Sequence, residues 1–171
     1  SDTTEVVLEN VRVRRSAVIG EVGQGMSIAL NALNLSRAFI STLAVGIMQR
    51  ALDEAVAYAK QRKQFGRRLI DFEMVQAMLA DMAIKTEAAR VLVNNCMRQM
   101  DAGEMVRKDG AIVKTFVTDA MQEVVSNAVQ VLGGYGYSEE YPVEKLMRDA
   151  KIFQIFEGSN QIQRMTIAKE L

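Results

Sequence analysis

Apolar residues at Ile28, Leu33, Ile40, Leu43, Ile47, Leu52, Ala55 and Ala59 recur at the spacing of one helix face. The pattern predicts a long helix over residues 26–62, with Gly46 as a point of close packing. QRKQFGRRLIDF breaks it at Gly66, and Asp71 is placed to cap a second helix. Met74, Met78, Leu79, Met82, Leu92, Val93, Cys96 and Met100 mark that helix to residue 102, and Gly103 ends it. A third helix is expected over 108–132 on Ile112, Phe116, Ala120, Val124, Val125 and Val129. Lys114, Asp119 and Glu123 fall on its polar side, and Gly133-Gly134 stops it. Pro142 suits the first turn of a short helix in PVEKLMRDAKI, where its missing N–H loses no bond. A last helix is expected over 160–170.

Strand signals are confined to VVLENVRV, residues 6–13, which alternates in part and carries β-branched valines; GEVGQG then supplies a turn. The expectation is an all-α, antiparallel up-down four-helix bundle over 25–171, preceded by a strand and linker over 1–24. A lone strand is not stable, so it is expected to belong to a sheet elsewhere. That makes the chain a fragment, with Ser1 a scar of expression.

Composition narrows the chemistry. The 171 residues include 49% hydrophobic and 25% charged positions, with 21 basic and 21 acidic side chains, which suits one ordinary globular domain. Zero net charge gives no reason to expect a nucleic-acid partner, and QRKQFGRR alone is weak evidence for one. No uninterrupted apolar run long enough to span a bilayer and no signal-peptide layout are seen, so no membrane insertion is expected and the expected location is cytoplasm or mitochondrial matrix. With no histidine and one cysteine, Cys96, a histidine-based nucleophile system is excluded and no metal site is expected. Cys96 is expected to pack inside the second helix, and the methionines to serve as core or interface filler.

Four segments carry more than periodicity: LSRAFISTLAVGIMQRALDEAVAYAKQRKQFG, MLADMAIK, AVQVLGGYGYSEEYPVEKLMRDAKI and FEGSNQIQR. In this order and spacing they resemble the C-terminal helical domain of acyl-CoA dehydrogenases. LENVRV and its glycine turn are similar to the exit from that family's middle β-domain. The resemblance implies an FAD-dependent enzyme that oxidises an acyl-CoA thioester to the trans-2-enoyl-CoA. It passes electrons to electron-transfer flavoprotein and assembles as a homodimer or homotetramer.

Residue by residue, the resemblance makes Glu157, in Phe156-Glu157-Gly158, the base that removes the α-proton while the β-hydrogen leaves as hydride to the flavin. The α-C–H is a poor acid, so its base gains from an apolar setting and the thioester oxygen needs donors. The family supplies one of these donors from the backbone N–H of the base. Some relatives carry the base just before the position of Arg37, where this chain has Ser36. Phe156, Gly158, Arg37 and Asn34 fall at substrate positions, Asn34 replacing a frequent aspartate. Arg62, Gln64 and Phe65 fall at FAD positions, Arg62 as a fork for the pyrophosphate. Gln130, Gly133 and Gly134 match contacts to the adenosine half made from the neighbouring subunit. Ser159 and Gln161 match FAD contacts after the base, and Glu73 replaces a frequent glutamine near the flavin.

Without the resemblance, Glu157 reads as an acid at a surface turn, and Arg37 and Arg62 as solvated or ion-paired helix residues. The same fold allows two other outcomes. One is an acyl-CoA oxidase that gives its electrons to oxygen. The other is a non-catalytic oligomerisation module, in which the isolated chain is dimeric or tetrameric, binds FAD weakly or not at all and has no dehydrogenase activity.

Overall fold

Three long helices end within one or two residues of where periodicity and glycine place their limits. In the computed structural model, which describes residues 4–104 and 106–171, they are α1 (Gly25–Gln61), α2 (Glu73–Asp101) and α3 (Arg107–Leu132). Two short helices, α4 (Pro142–Ala150) and α5 (Asn160–Ala168), form the fourth side, and α3 touches all four of the others. The architecture is the expected helical bundle with α3 at its centre. Ser1 lies outside the described residues.

Small side chains set the approach of α1. Ala38, Ser41, Ala44, Ala51, Ala55 and Ala59 are fully buried, so the inner face is written in alanine rather than in the larger apolar residues. Leu43 is instead 61% exposed, and Leu30, Leu35 and Phe39 are exposed too. Met48, Met82 and Met121 are fully buried and fill the gaps that alanines leave, as flexible thioether chains do. Cys96 lies inside α2's packed face, and burial pushes its thiol up. An 18-residue window of α1 reaches mean hydropathy 1.4, long and apolar enough by composition to cross a membrane. Here α1 packs against α2 and α3.

Gly46 does not close-pack. It is exposed, and a Cβ built there meets nothing within 4 Å. Glycine inside a helix loses more backbone freedom than alanine does, so Gly46→Ala should stabilise this chain by about 0.5–1 kcal/mol. Urea unfolding of both proteins under the same conditions checks this, through a higher midpoint with unchanged slope.

Four local expectations are corrected. Residues 6–13 form no strand. They lie exposed without regular structure, because no partner strand among the described residues takes their hydrogen bonds. QRKQFGRR is a hairpin, β1 (Lys63–Gln64) against β2 (Arg67–Arg68), closed by Phe65 at φ 50° and Gly66 at φ 78°. Asp71 does not cap α2. Its carboxylate accepts from Arg68 Nε and Nη2 at 3.1 and 2.9 Å in a 3-10 turn, and Phe72 takes the cap position. Lys114 is not on a polar face but fully buried, facing the segment that leads into α5.

Gly103, at φ 79°, follows α2, and Gly133, at φ 62°, terminates α3 as expected. Pro142 opens α4, which passes through a 3-10 turn, Lys151–Gln154, into the Glu157 segment.

Candidate active site

Two helices meet at Glu157. The segment between the 3-10 turn and α5 reverses direction through Glu157 at φ 57° and Gly158 at φ 83°. A left-handed glutamate is uncommon, and the surroundings hold it there. Ser36 Oγ, from α1, donates to Glu157 Oε2 at 2.5 Å. Arg37 Nε approaches the Glu157 carbonyl at 3.5 Å, while its Nη1 donates to Asn34 Oδ1 at 2.9 Å. Gly110, at the start of α3, allows this approach, since a Cβ there would lie 3.2 Å from the Asn34 carbonyl. Arg37 is 7% exposed. Burial, then Arg107, lowers its pKa, and Glu157 acts in the opposite direction.

The substrate candidates therefore converge. Asn34, Arg37, Glu157 and Gly158 share one hydrogen-bonded or contact group, with Phe156 half-buried and packed edge-on against Phe153 at 4.9 Å between centroids. Asn34 also lines a cleft of about 300 Å³ with Asn31, Gly103 and Arg107. Ser36 and Glu157 touch, so the two positions at which the resemblance places a base are neighbours in space.

The cofactor candidates divide between two clefts. Arg62, Gln64, Gly133 and Gly134 line one of about 690 Å³, together with Tyr58 and Tyr135. Arg62 Cζ lies 5.4 Å from the Tyr135 ring centre, which leaves the edge of its fork available. Nothing lies within 4 Å of a Cβ built at Gly133 or Gly134, so their backbone is open to a ligand. This donor set fits a phosphate-bearing cofactor. Ser159 and Gln161 line a second cleft of about 480 Å³ with Asp119, Lys151, Gln154 and Arg164. Ser159 also caps α5, accepting from the Ile162 N–H at 3.5 Å.

Two candidates stand apart. Phe65 is 92% exposed at the hairpin tip, edge-on to Phe72, and Gln130 is exposed and outside the lining of the first cleft. Glu73 opens α2, where a carboxylate suits the positive end of the helix without any ligand.

Sequence reasoning missed the group that holds the turn. Lys114 Nζ donates to the Gly158 carbonyl at 2.9 Å and to Asn160 Oδ1 at 2.7 Å. Asn160 Nδ2 donates on to Thr118 Oγ1 and Asp119 Oδ1, and Asp119 also accepts from Gln154 and Arg164. Asp119 thus ties the chain before Glu157 to the chain after it. Burial pushes its carboxyl up, but hydrogen bonds from Arg164, Gln154 and Asn160 outweigh that and hold it below the usual carboxylate range. A signal existed: Lys114 shares its helix face with Gly110, Val117 and Met121, all buried.

Comparison with known proteins identifies the family. The family model for the acyl-CoA dehydrogenase C-terminal domain matches residues 23–171. A probable acyl-CoA dehydrogenase of Mycobacterium tuberculosis is 48% identical over 100% of this chain and 44% of its own length. Subunit CarC of the caffeyl-CoA reductase-Etf complex of Acetobacterium woodii is 42% identical over 97% of this chain and 44% of its own. Butyryl-CoA dehydrogenase from Megasphaera elsdenii superposes with a TM-score of 0.93 at 43% identity, over 96% of this chain and 43% of that one. The chain spans less than half the length of the curated relatives it matches. FAD is the cofactor of this flavoprotein family. The chain belongs to the acyl-CoA dehydrogenase family, of which it is the C-terminal helical domain.

Proposed function

We propose that this domain supplies the base of an FAD-dependent enzyme that interconverts an acyl-CoA and its trans-2-enoyl-CoA, acting as a dehydrogenase. The observation that carries the reading is Glu157, held in a left-handed backbone conformation with one carboxylate oxygen bonded to Ser36. The hydroxyl engages Oε2 and leaves Oε1 to take the α-proton. Arg37 supports the same turn through its carbonyl. The chemistry the flavin supplies when bound is acceptance of the β-hydrogen as hydride.

Arg62, Gln64, Gly133 and Gly134 would hold the pyrophosphate and adenosine half, and Ser159 and Gln161 the region nearer the base. The two sets line clefts with no residue in common, which supports an FAD shared between two subunits. A homodimer or homotetramer follows from that sharing, and electron-transfer flavoprotein is the expected acceptor. The relatives include a reductase as well as a dehydrogenase. The same base, protonated, can return a proton to the α-carbon, so enoyl-CoA reduction is the second reading.

The test is anaerobic mixing of the full-length, FAD-loaded protein with short, long, branched and aromatic acyl-CoAs. At least one should bleach the flavin, with colour restored by electron-transfer flavoprotein. Peroxide production under air would instead indicate an oxidase, and faster reoxidation of reduced flavin by an enoyl-CoA would favour the reductase. No bleaching by any thioester and no reoxidation by any enoyl-CoA would defeat the proposal.

A further inference from the structure

We propose that Lys114 and Gln163 are positioning residues for Glu157, clamping the carbonyls of the Glu157-Gly158 turn from α3 and α5. The inference rests on the reading of Glu157 as the base. Gln163 Nε2 donates to the Glu157 carbonyl at 3.2 Å and to the Gly158 carbonyl at 3.0 Å. Lys114 Nζ reaches the same Gly158 carbonyl at 2.9 Å from the opposite helix. Both side chains are fully buried. Gly158 is part of the device, because a Cβ there would lie 2.5 Å from Gln163 Nε2.

A buried lysine is an expensive way to fill space. Burial lowers its pKa to about 8, with Arg37 from α1 acting in the same direction and Asp119 from α3 and Glu157 from the turn opposing. A methionine of similar length would avoid that penalty, and buried charges are commonly no more stabilising than apolar replacements. What methionine cannot do is donate to the Gly158 carbonyl and to Asn160 at once. Gln163 repeats the pattern. Its amide serves both carbonyls while its Oε1 is buried without a partner among the described residues, so part of its hydrogen-bonding capacity is left unused. Two unfavourable burials that converge on one left-handed turn are explained if the turn must be held still. A base displaced by about 1 Å loses roughly 10²-fold in rate.

The experiment uses the full-length, FAD-loaded protein and the variants Lys114→Met, Gln163→Met, the double variant and Glu157→Gln. Stopped-flow flavin bleaching by a saturating acyl-CoA is expressed per bound flavin, and the thioester Kd is taken from the spectral shift in Glu157→Gln backgrounds. Each single variant should bleach about 10- to 10²-fold more slowly, with Kd within about threefold of its background. The double variant should fall within about threefold of the slower single variant, because one displaced turn cannot be displaced twice. A purely structural role would lower yield or flavin content and leave the rate per flavin unchanged.

Gln163→Met removes an orphaned acceptor together with the donor, so it decides the matter if Lys114→Met does not fold. Bleaching within threefold of wild type in flavin-loaded Gln163→Met, or in a folded Lys114→Met, overturns the inference. If Glu157→Gln also bleaches at the wild-type rate, it is the base assignment that has failed; if Glu157→Gln is inactive, the clamp alone has failed.

Discussion

Glu157→Gln in the full-length, FAD-loaded protein should slow anaerobic flavin bleaching by about 10²- to 10⁴-fold, the range general-base catalysis contributes. Glutamine keeps the length and shape of glutamate and can still bond Ser36. The bonds that hold the turn end on main-chain carbonyls, which the substitution leaves in place. Flavin content and thermal stability should therefore change little, and the loss reports proton abstraction alone. Among the described residues, no neighbour is placed to take over. Ser36 is a hydroxyl without a histidine in the chain to activate it. Asp119 is held ionised with its oxygens engaged by Arg164, Gln154 and Asn160. Bleaching within tenfold of wild type in stopped-flow mixing would remove Glu157 from the mechanism.

Gly136→Ala should have the largest effect on stability. A Cβ at this buried position would lie 2.6 Å from the Val129 carbonyl oxygen, 2.9 Å from Leu132 Cβ and 3.0 Å from Val129 Cα. Two of these atoms are α3 backbone, which cannot turn aside as a side-chain end can, so either the helix end or the GGYGY turn must move. Overpacking of this kind costs about 3 kcal/mol, or roughly 6–12 °C in Tm for a domain of this size. Gly134→Ala, two residues earlier and open on every side, is the control and should stay within about 0.5 kcal/mol. Thermal unfolding followed by circular dichroism compares them. A Gly136→Ala midpoint within about 2 °C of wild type would mean that the turn has slack. The cleft should feel the change too, because Tyr135 packs on Tyr58 and Tyr141 at 6.4 and 5.6 Å and carries Arg62 over its ring.

The long helices were legible because their evidence is local. Period, Gly103, Gly133 and Pro142 each act within a few residues of the feature they set, and the structure keeps all of them. The inner face of α1 was harder to read, because alanine is weakly apolar and the larger side chains that dominate the pattern, such as Ile40, Ile47 and Leu52, are only half-buried beside it. The hairpin was missed for a related reason. Two-residue turns usually announce themselves with asparagine or aspartate before glycine, and here Phe65 takes the left-handed position. At the site, Glu157, Arg37 and Asn34 were found through resemblance, and the fold brings them together. Lys114 escaped because a lysine on a helix is normally solvated, and its reason for burial lies 44 residues away at Gly158. The alternation in residues 6–13 was real but insufficient, since a strand exists only as part of a ladder.

α1 is about 55 Å long and α3 about 39 Å, so the first turns of α1 run past the end of the bundle. Residues 25–32 are almost wholly exposed, and continuous burial begins at Arg37 and Ala38. Asn34 and Ser36 occupy the last supported turn before the overhang. Opening there breaks few contacts, whereas unwinding the alanine-lined half of α1 must disrupt the core. The helix is thus anchored like a cantilever, and the Ser36–Glu157 hydrogen bond sits at its root. The bond marks the point in α1 where helix exposed within this domain gives way to the alanine-lined helix packed in its core, so the carboxylate is braced from the buried side.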